Sequence, residues 1–384
     1  MNFEFATATR VVFGPGTRSR AGVLARELGR RALVVTGRDA ARADWLVTQL
    51  RAAGLAVAVQ SVAGEPSVET VTTALAVARL APPDVVIACG GGSALDTGKA
   101  LAGMLGNEGE LLDYLEIIGR GRTLARPALP FIAIPTTAGT GAEVTRNAVL
   151  SAPAQRAKVS FRSPHLLPRV ALVDPELTHD LPPAITAATG LDALTQLIEP
   201  YVCARANPLT DALCLDGMGR AARSLRAVCA AGAAPAARED LALASLFGGL
   251  ALANAGLGAV HGLAGPLGGW FPAPHGAVCA ALLPHVMAAN LRALAQRAPT
   301  SPTLMRYAEV ARRLTGSPVA AADDGVRWVG ELVADLGVPR LGVYGLAAGD
   351  FAGVVAQARQ ASSMQANPVA LTAEELADIL AAAL

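Results

Sequence analysis

The chain has 384 residues, more than a single hydrophobic core ordinarily supports, so two domains are expected. Hydrophobic residues make up 52% and charged residues 16%, with a formal net charge of +1. That balance fills large cores and leaves neither a basic field for nucleic acid nor an acidic tail, so the expected partners are small molecules. The first ten residues, MNFEFATATR, carry an acidic side chain and no apolar run behind positive charge, so no secretory signal is expected. The five cysteines (Cys89, Cys203, Cys214, Cys229, Cys279) are odd in number and lack CxxC pairing, which fits free thiols in a reducing cytoplasm.

From the N-terminus, short β-branched runs alternate with amphipathic stretches. Thr9 to Phe13 reads as a strand ended by Gly14-Pro15-Gly16, and Ala32 to Thr36 and Leu55 to Gln60 read as further strands. Ala41 to Ala53 and Val68 to Leu80 carry apolar residues at helical spacing, and Val85 to Ala88 is a continuous apolar run of the parallel-sheet kind. Phe131 to Ile134 and Val170 to Val173 add later strands. The pattern predicts a doubly wound α/β domain.

Two glycine-rich loops follow strands in this half. The first, Cys89 to Lys99 (CGGGSALDTGK), leads from a strand into a helix, where glycines let the backbone approach a diphosphate and the helix N-terminus favours the anion. A tight turn would use the same glycines, and the GxGxxG spacing is absent. The second, Pro135 to Thr145 (PTTAGTGAEVT), offers hydroxyls and small residues that suit either a cofactor wall or a capped turn.

The second half is rich in Ala and Leu at helical spacing. GLDALTQLIEPYV places Asp192 and Gln196 one turn apart on one helix face. The run from Leu241 to Val260 is uncharged for long enough to raise a membrane span, but Ser245, Asn254 and its glycines suit a buried helix better. Between Ala255 and His285 fall three of the five histidines, with His261 and His275 on either side of a Gly/Pro-rich turn. Two imidazoles and the Asp192 carboxylate, with Gln196 as a weak fourth donor, form a divalent-metal set with room for a substrate oxygen. The bland alternative for each histidine is a hydrogen-bonded core side chain. Cys279, one turn after His275, reads as a small buried residue or as a thiolate ligand.

The pieces GGGSALDTGKA, IPTTAGTGAEVTRNAVL, GLDALTQLIEPYV, AVHGLAGPLGG and PHGAVCAALLPHVM, in this order, resemble the iron-containing (group III) alcohol dehydrogenases. That family is related to glycerol dehydrogenase, maleylacetate reductase and dehydroquinate synthase. The resemblance implies a dinucleotide-binding α/β domain over residues 1–180 and an all-helical, dehydroquinate synthase-like metal domain over 181–384, with the boundary near Leu181-Pro182-Pro183. It further implies that Gly90, Gly91, Gly92 and Ser93 hold the diphosphate of NAD or NADP and that Asp96 braces that loop. Thr136, Thr137 and Thr140 would enclose the cofactor and Lys158 would contact its ribose, although a solvated lysine would look the same. Asp192, His261 and His275, with Gln196, would hold a divalent metal: Fe first, with Zn, Mn or Ni as alternatives. The expected reaction is hydride transfer between nicotinamide C4 and a small primary or secondary alcohol, in a cytoplasmic homodimer or higher homo-oligomer.

Three departures bear on that expectation. Gln196 stands where the family motif carries a histidine ligand, and Gly265 stands where HGxxHPLG carries a histidine often assigned to proton transfer. Gly37 and Arg38 follow the strand ending VVT where NAD-preferring members carry an aspartate, which would admit NADP unless Asp39 turns back toward the ribose. The first two leave open an oxoacid reductase of the maleylacetate reductase type, or a catalytically inactive nicotinamide-binding sensor. Phe161, Phe247, Trp270 and Phe271 are candidate pocket walls or core, and Arg146 and Asn147 are candidate substrate contacts or a solvated strand edge.

Overall fold

The computed structural model describes residues 2–231 and 234–384. Among the described residues, eight strands and fifteen α-helices form two compact units, the chain passing from the first to the second between Thr178 and His179. The α/β unit contains β1 (Arg10–Phe13), β2 (Arg31–Thr36), β3 (Ala56–Ser61), β4 (Val85–Gly90), β5 (Phe131–Pro135), β6 (Asn147–Ala152), β7 (Ala157–Arg162) and β8 (Val170–Val173). Its helices are α1 (Ala21–Leu28), α2 (Asp44–Ala52), α3 (Val68–Leu80), α4 (Gly92–Leu105) and α5 (Leu111–Tyr114).

Six strands pair in parallel in the order β1-β8-β5-β4-β2-β3. Alternate side chains leave opposite faces of each strand. Leu33, Val35, Val86 and Ala88 enter one core, whereas Ala32, Val34, Val85 and Ile87 enter the other. Both faces are therefore covered, which is why these strands read as continuous apolar runs. Cys89 belongs to the second core, where burial pushes its thiol up to about 12.

The strand order reverses between β2 and β4, whose ends are in register at Thr36 and Cys89. The loops leaving these two strands, at Gly37 and Gly91, thus open at the topological switch point, where doubly wound sheets bind ligands. The antiparallel hairpin β6–β7 lies outside the six-stranded sheet and was not foreseen. Its turn places Arg156 at φ 47°, in the left-handed region, without the Gly or Asn that marks such turns in sequence. The expected helix from Ala41 begins instead at Asp44, because the Asp39 carboxylate accepts the Ala41 N–H at 3.2 Å and starts a 3-10 turn.

The helical unit comprises α6 (Pro183–Val202), α7 (Pro208–Ala231), α8 (Pro235–Asn254), α9 (Ala259–Trp270), α10 (His275–Arg297), α11 (Pro302–Thr315), α12 (Ala322–Asp335), α13 (Phe351–Ala358), α14 (Ser362–Gln365) and α15 (Ala373–Ala383). One contiguous apolar core runs through it from Leu191 on α6 to Leu380 on α15. The uncharged run that raised a membrane span breaks after Asn254, and α8 and α9 meet at a 96° bend. Among the described residues, α10 is by length and composition able to cross a membrane, as the bent α8–α9 pair would be if it were one span, yet 83% of the α10 apolar window is buried inside the protein. The short segment Ala138–Thr140 groups with the helices: a Cβ on Gly139 would come within 2.7 Å of the Thr189 Cβ on α6.

Candidate metal centre and cofactor loops

Helix α6 supplies Asp192, α9 supplies His261 two residues inside its N-terminus, and α10 supplies His275 as its first residue and Cys279 one turn later. Close approach of α10 to α6 depends on Gly276, where a Cβ would stand 2.3 Å from the Ala188 carbonyl oxygen. The Asp192 Oδ1 lies 3.5 Å from His261 Nε2 and 3.8 Å from His275 Nε2. The donor atoms of Asp192, His261, His275 and Cys279 all lie within 4.8 Å of one another. The Asp192 side chain is 2% exposed and that of His275 32%, so the cluster is open on the His275 side.

The residues fit a divalent ion. Buried polar atoms are almost always hydrogen-bonded, yet Asp192 Oδ1 and Gln196 Oε1 have no hydrogen-bond partner. Burial alone would weaken the basicity of His261, but Cys279, Asp192 and Glu199 hold its imidazole well above the usual range. Cys279 likewise raises His275 against the effect of burial. Burial would raise the Asp192 carboxyl, and the two histidines outweigh it and hold the group below its ordinary value. The cluster thus draws positive charge to one point, which a metal ion would supply while displacing protons.

Glu199 is the residue that sequence reasoning missed. It sits two turns beyond Asp192 on α6, and its Oε2 accepts the His261 Nδ1–H at 2.6 Å, leaving Nε2 free to face the cluster. Its Oε1 accepts the Val260 N–H at 2.7 Å, and Asn367 Oδ1 accepts the Ala259 N–H at 3.0 Å, so two carbonyl-type oxygens cap α9. This approach requires Gly258, where a Cβ would lie 2.7 Å from Glu199 Oε1. Asn367 is held in turn by Asn290, whose amide also donates to the Tyr307 hydroxyl at 3.0 Å. The i, i+7 spacing of Asp192 and Glu199 is visible in sequence, but the separation of 62 positions between Glu199 and His261 hides its partner.

At Gly265 an added Cβ would meet nothing within 4 Å, so the missing histidine leaves open space. Gln196 lies on the Asp192 face of α6, buried. Phe161 is a core residue of the α/β unit, 5.9 Å from Tyr114 between ring centroids, while Phe247, Trp270 and Phe271 pack against the helical core.

In the α/β unit, β4 runs through Gly90 and Gly91 into α4, whose N-terminus no side chain caps. A Cβ on Gly90 would stand 2.6 Å from the Ala94 Cβ and 3.3 Å from the Gly37 nitrogen, so only glycine permits this approach of strand, helix and switch-point loop. Gly91, Gly92 and Ser93 are partly exposed at the helix start, as are Thr136 and Thr137 beside them, with Thr136 N–H bonded to the Gly90 carbonyl at 3.0 Å. Thr140, also partly exposed, groups with the helices. This cradle of glycines at an uncapped helix N-terminus fits a dinucleotide diphosphate. Asp96 reaches the hairpin, accepting the Val149 N–H at 3.1 Å, and lies 3.7 Å from Lys99. Lys99, wholly buried, donates to Thr145 Oγ1 and to the Asn147 carbonyl, both at 2.8 Å. Lys158 on β7 is paired at 2.6 Å with Glu65, and Arg38 and Asp39 are exposed after β2.

A switch-point glycine cradle in one unit suits a dinucleotide, and the buried Asp/His/His cluster in the other suits a divalent metal, the pair of features expected of a metal-dependent dehydrogenase. The chain belongs to the iron-containing alcohol dehydrogenase family: it matches "Iron-containing alcohol dehydrogenase" over residues 8–175 and "Fe-containing alcohol dehydrogenase family, C-terminal" over 186–384. It is 37% identical to 1,3-propanediol dehydrogenase of Klebsiella pneumoniae over 98% of this chain and 97% of that one. Against lactaldehyde reductase of Escherichia coli the identity is 40%, over 71% and 72%. A crystal structure of 1,3-propanediol oxidoreductase superposes with a TM-score of 0.92 at 35% identity, covering both chains fully. The chain is accordingly an NAD(P)-dependent oxidoreductase acting on CH–OH donors.

Proposed function

We propose that the chain interconverts a small primary or secondary alcohol and its aldehyde or ketone, with Asp192, His261 and His275 holding a divalent metal, iron first. The observation that carries this is the buried Asp192 Oδ1, without a hydrogen-bond donor, facing two imidazole Nε2 atoms, one of them oriented by Glu199. When bound, the ion supplies the Lewis acidity that polarises a hydroxyl or carbonyl, and the nicotinamide carries the hydride. Asp192 contributes a negative charge and fixes the cluster from the rigid α6. Glu199 holds His261 in the tautomer that presents Nε2. Gln196 offers an amide oxygen as a weak further donor, and the space beside Gly265 admits a substrate substituent or water. Gly90, Gly91, Gly92 and Ser93 bind the diphosphate, Thr136, Thr137 and Thr140 enclose the cofactor, Asp96 braces the loop through the hairpin, and Lys158, released from Glu65, contacts the ribose. The absence of a carboxylate at Gly37 and the exposed guanidinium of Arg38 support acceptance of NADP, since Asp39 is engaged at Ala41. The five free cysteines support a cytoplasmic enzyme, and a homodimer or higher homo-oligomer is the assembly proposed.

Oxidation of NADH and NADPH against a panel of small aldehydes, ketones and ketoacids tests this reading. Aldehyde or ketone reduction that is abolished in Asp192→Asn supports it. Turnover of ketoacids alone, undiminished in Asp192→Asn, would replace it with the oxoacid reductase.

A further inference from the structure

Resting on that metal reading, the geometry points to Cys279 as a fourth protein ligand, bound as its thiolate, so that this site is an Asp/His/His/Cys set. Cys279 is fully buried on α10, and its sulfur lies 3.7 Å from His275 Nε2 and 3.9 Å from His261 Nε2. The same two nitrogens lie 3.8 and 3.5 Å from Asp192 Oδ1, and all four donors fall within 4.8 Å of one another. A tetrahedral ion with bonds of about 2.0 Å to nitrogen or oxygen and about 2.3 Å to sulfur has edges of about 3.3 Å between the light donors and about 3.5 Å between nitrogen and sulfur. The four observed edges exceed these by roughly 0.2–0.5 Å, a contraction that small side-chain rotations supply.

Cys279 packs within the helical core, but its sulfur also faces two imidazoles and belongs to the same cluster as a carboxylate oxygen that has no hydrogen-bond partner. Donor strength favours it over Gln196 as well, since a thiolate binds a borderline-soft ion more strongly than an amide oxygen does. The thiol proton leaves to solvent as the sulfur–metal bond forms. A thiolate suits borderline-soft ions, so the site takes Zn2+ or Co2+ in preference to Mg2+ or Mn2+. Catalytic zinc accommodates a fifth donor, which keeps a position for substrate.

The test is reconstitution of the chelator-stripped full-length protein with Co2+, read by absorption. Ligand-field bands in the visible report cobalt in the site whatever its ligands, and a thiolate-to-cobalt charge-transfer band in the near ultraviolet reports sulfur. Wild type is expected to show both, Gln196→Ala to keep both, and Cys279→Ser to keep the first and lose the second. X-ray absorption of the zinc-loaded wild type, which needs no variant, is expected to show one sulfur at about 2.3 Å. Ligand-field bands without charge transfer, or no sulfur scatterer, overturn Cys279 ligation and leave the metal site standing. A charge-transfer band that survives in Cys279→Ser overturns it too. No cobalt or zinc uptake by wild type would remove the metal reading itself, and the inference with it.

Discussion

Glu199→Gln tests how the centre is held. The native carboxylate serves two donors at once, His261 Nδ1–H at 2.6 Å and Val260 N–H at 2.7 Å. Glutamine has the same shape but only one acceptor oxygen, so in either orientation its amide NH2 faces one of these N–H groups. A hydrogen bond to a charged acceptor is worth about 1.5–3 kcal/mol, and the orphaned donor is buried, so a loss of that order in folding free energy is expected. Where the imidazole is the donor abandoned, the tautomer preference is lost and Nε2 competes for the proton. Loss of such an outer partner costs roughly 10–100-fold in metal affinity, or about 1.4–2.7 kcal/mol. Chelator-competition titration measures the affinity and urea denaturation measures the stability. An affinity within threefold of wild type, with unchanged stability, would refute the proposed role of Glu199.

Three further outcomes follow from the same geometry. Gly276→Ala places a Cβ 2.3 Å from the Ala188 carbonyl oxygen, so α10 must shift from α6; a loss of about 1–3 kcal/mol in urea denaturation and weaker metal binding are expected. Arg38→Asp restores a carboxylate after β2 and should lower kcat/KM for NADPH while raising it for NADH, so an unchanged ratio would remove Arg38 from cofactor choice. Burial lifts the Glu143 carboxyl from 4.5 to about 7, opposed by Lys99. Because the folded state holds this proton more tightly than the unfolded chain, its contribution to stability is complete below about pH 4.5 and is lost as the pH rises through 7, by up to about 3 kcal/mol. Urea midpoints across that range should fall in wild type and fall less in Glu143→Gln.

The central strands were legible because burial on both faces leaves no polar positions to blur the run, as in Val85 to Ala88. The β6–β7 hairpin was not, since its turn uses Arg156 rather than glycine and its strands lie outside the six-stranded sheet. Asp192, His261 and His275 stood out by residue type and by their matching motifs, and the fold brings all three together. What holds them did not stand out. Glu199 resembles any buried helical acid until α9 is folded against it, and Gly258 and Gly276 declare their necessity only as close approaches between elements distant in sequence. Cys279 was visible as the i+4 neighbour of His275, yet helical spacing alone gives a core cysteine and a ligand the same signature. The distances to the two imidazoles separate them.

The most direct measurement is metal content by mass spectrometry on protein purified without added metal or chelator, with activity followed through chelation and metal return. Near-stoichiometric Fe or Zn, turnover lost on chelation and recovered on reconstitution, and loss of bound metal in His261→Ala are the expected results. Metal-free protein whose activity is unaffected by chelation would contradict the account.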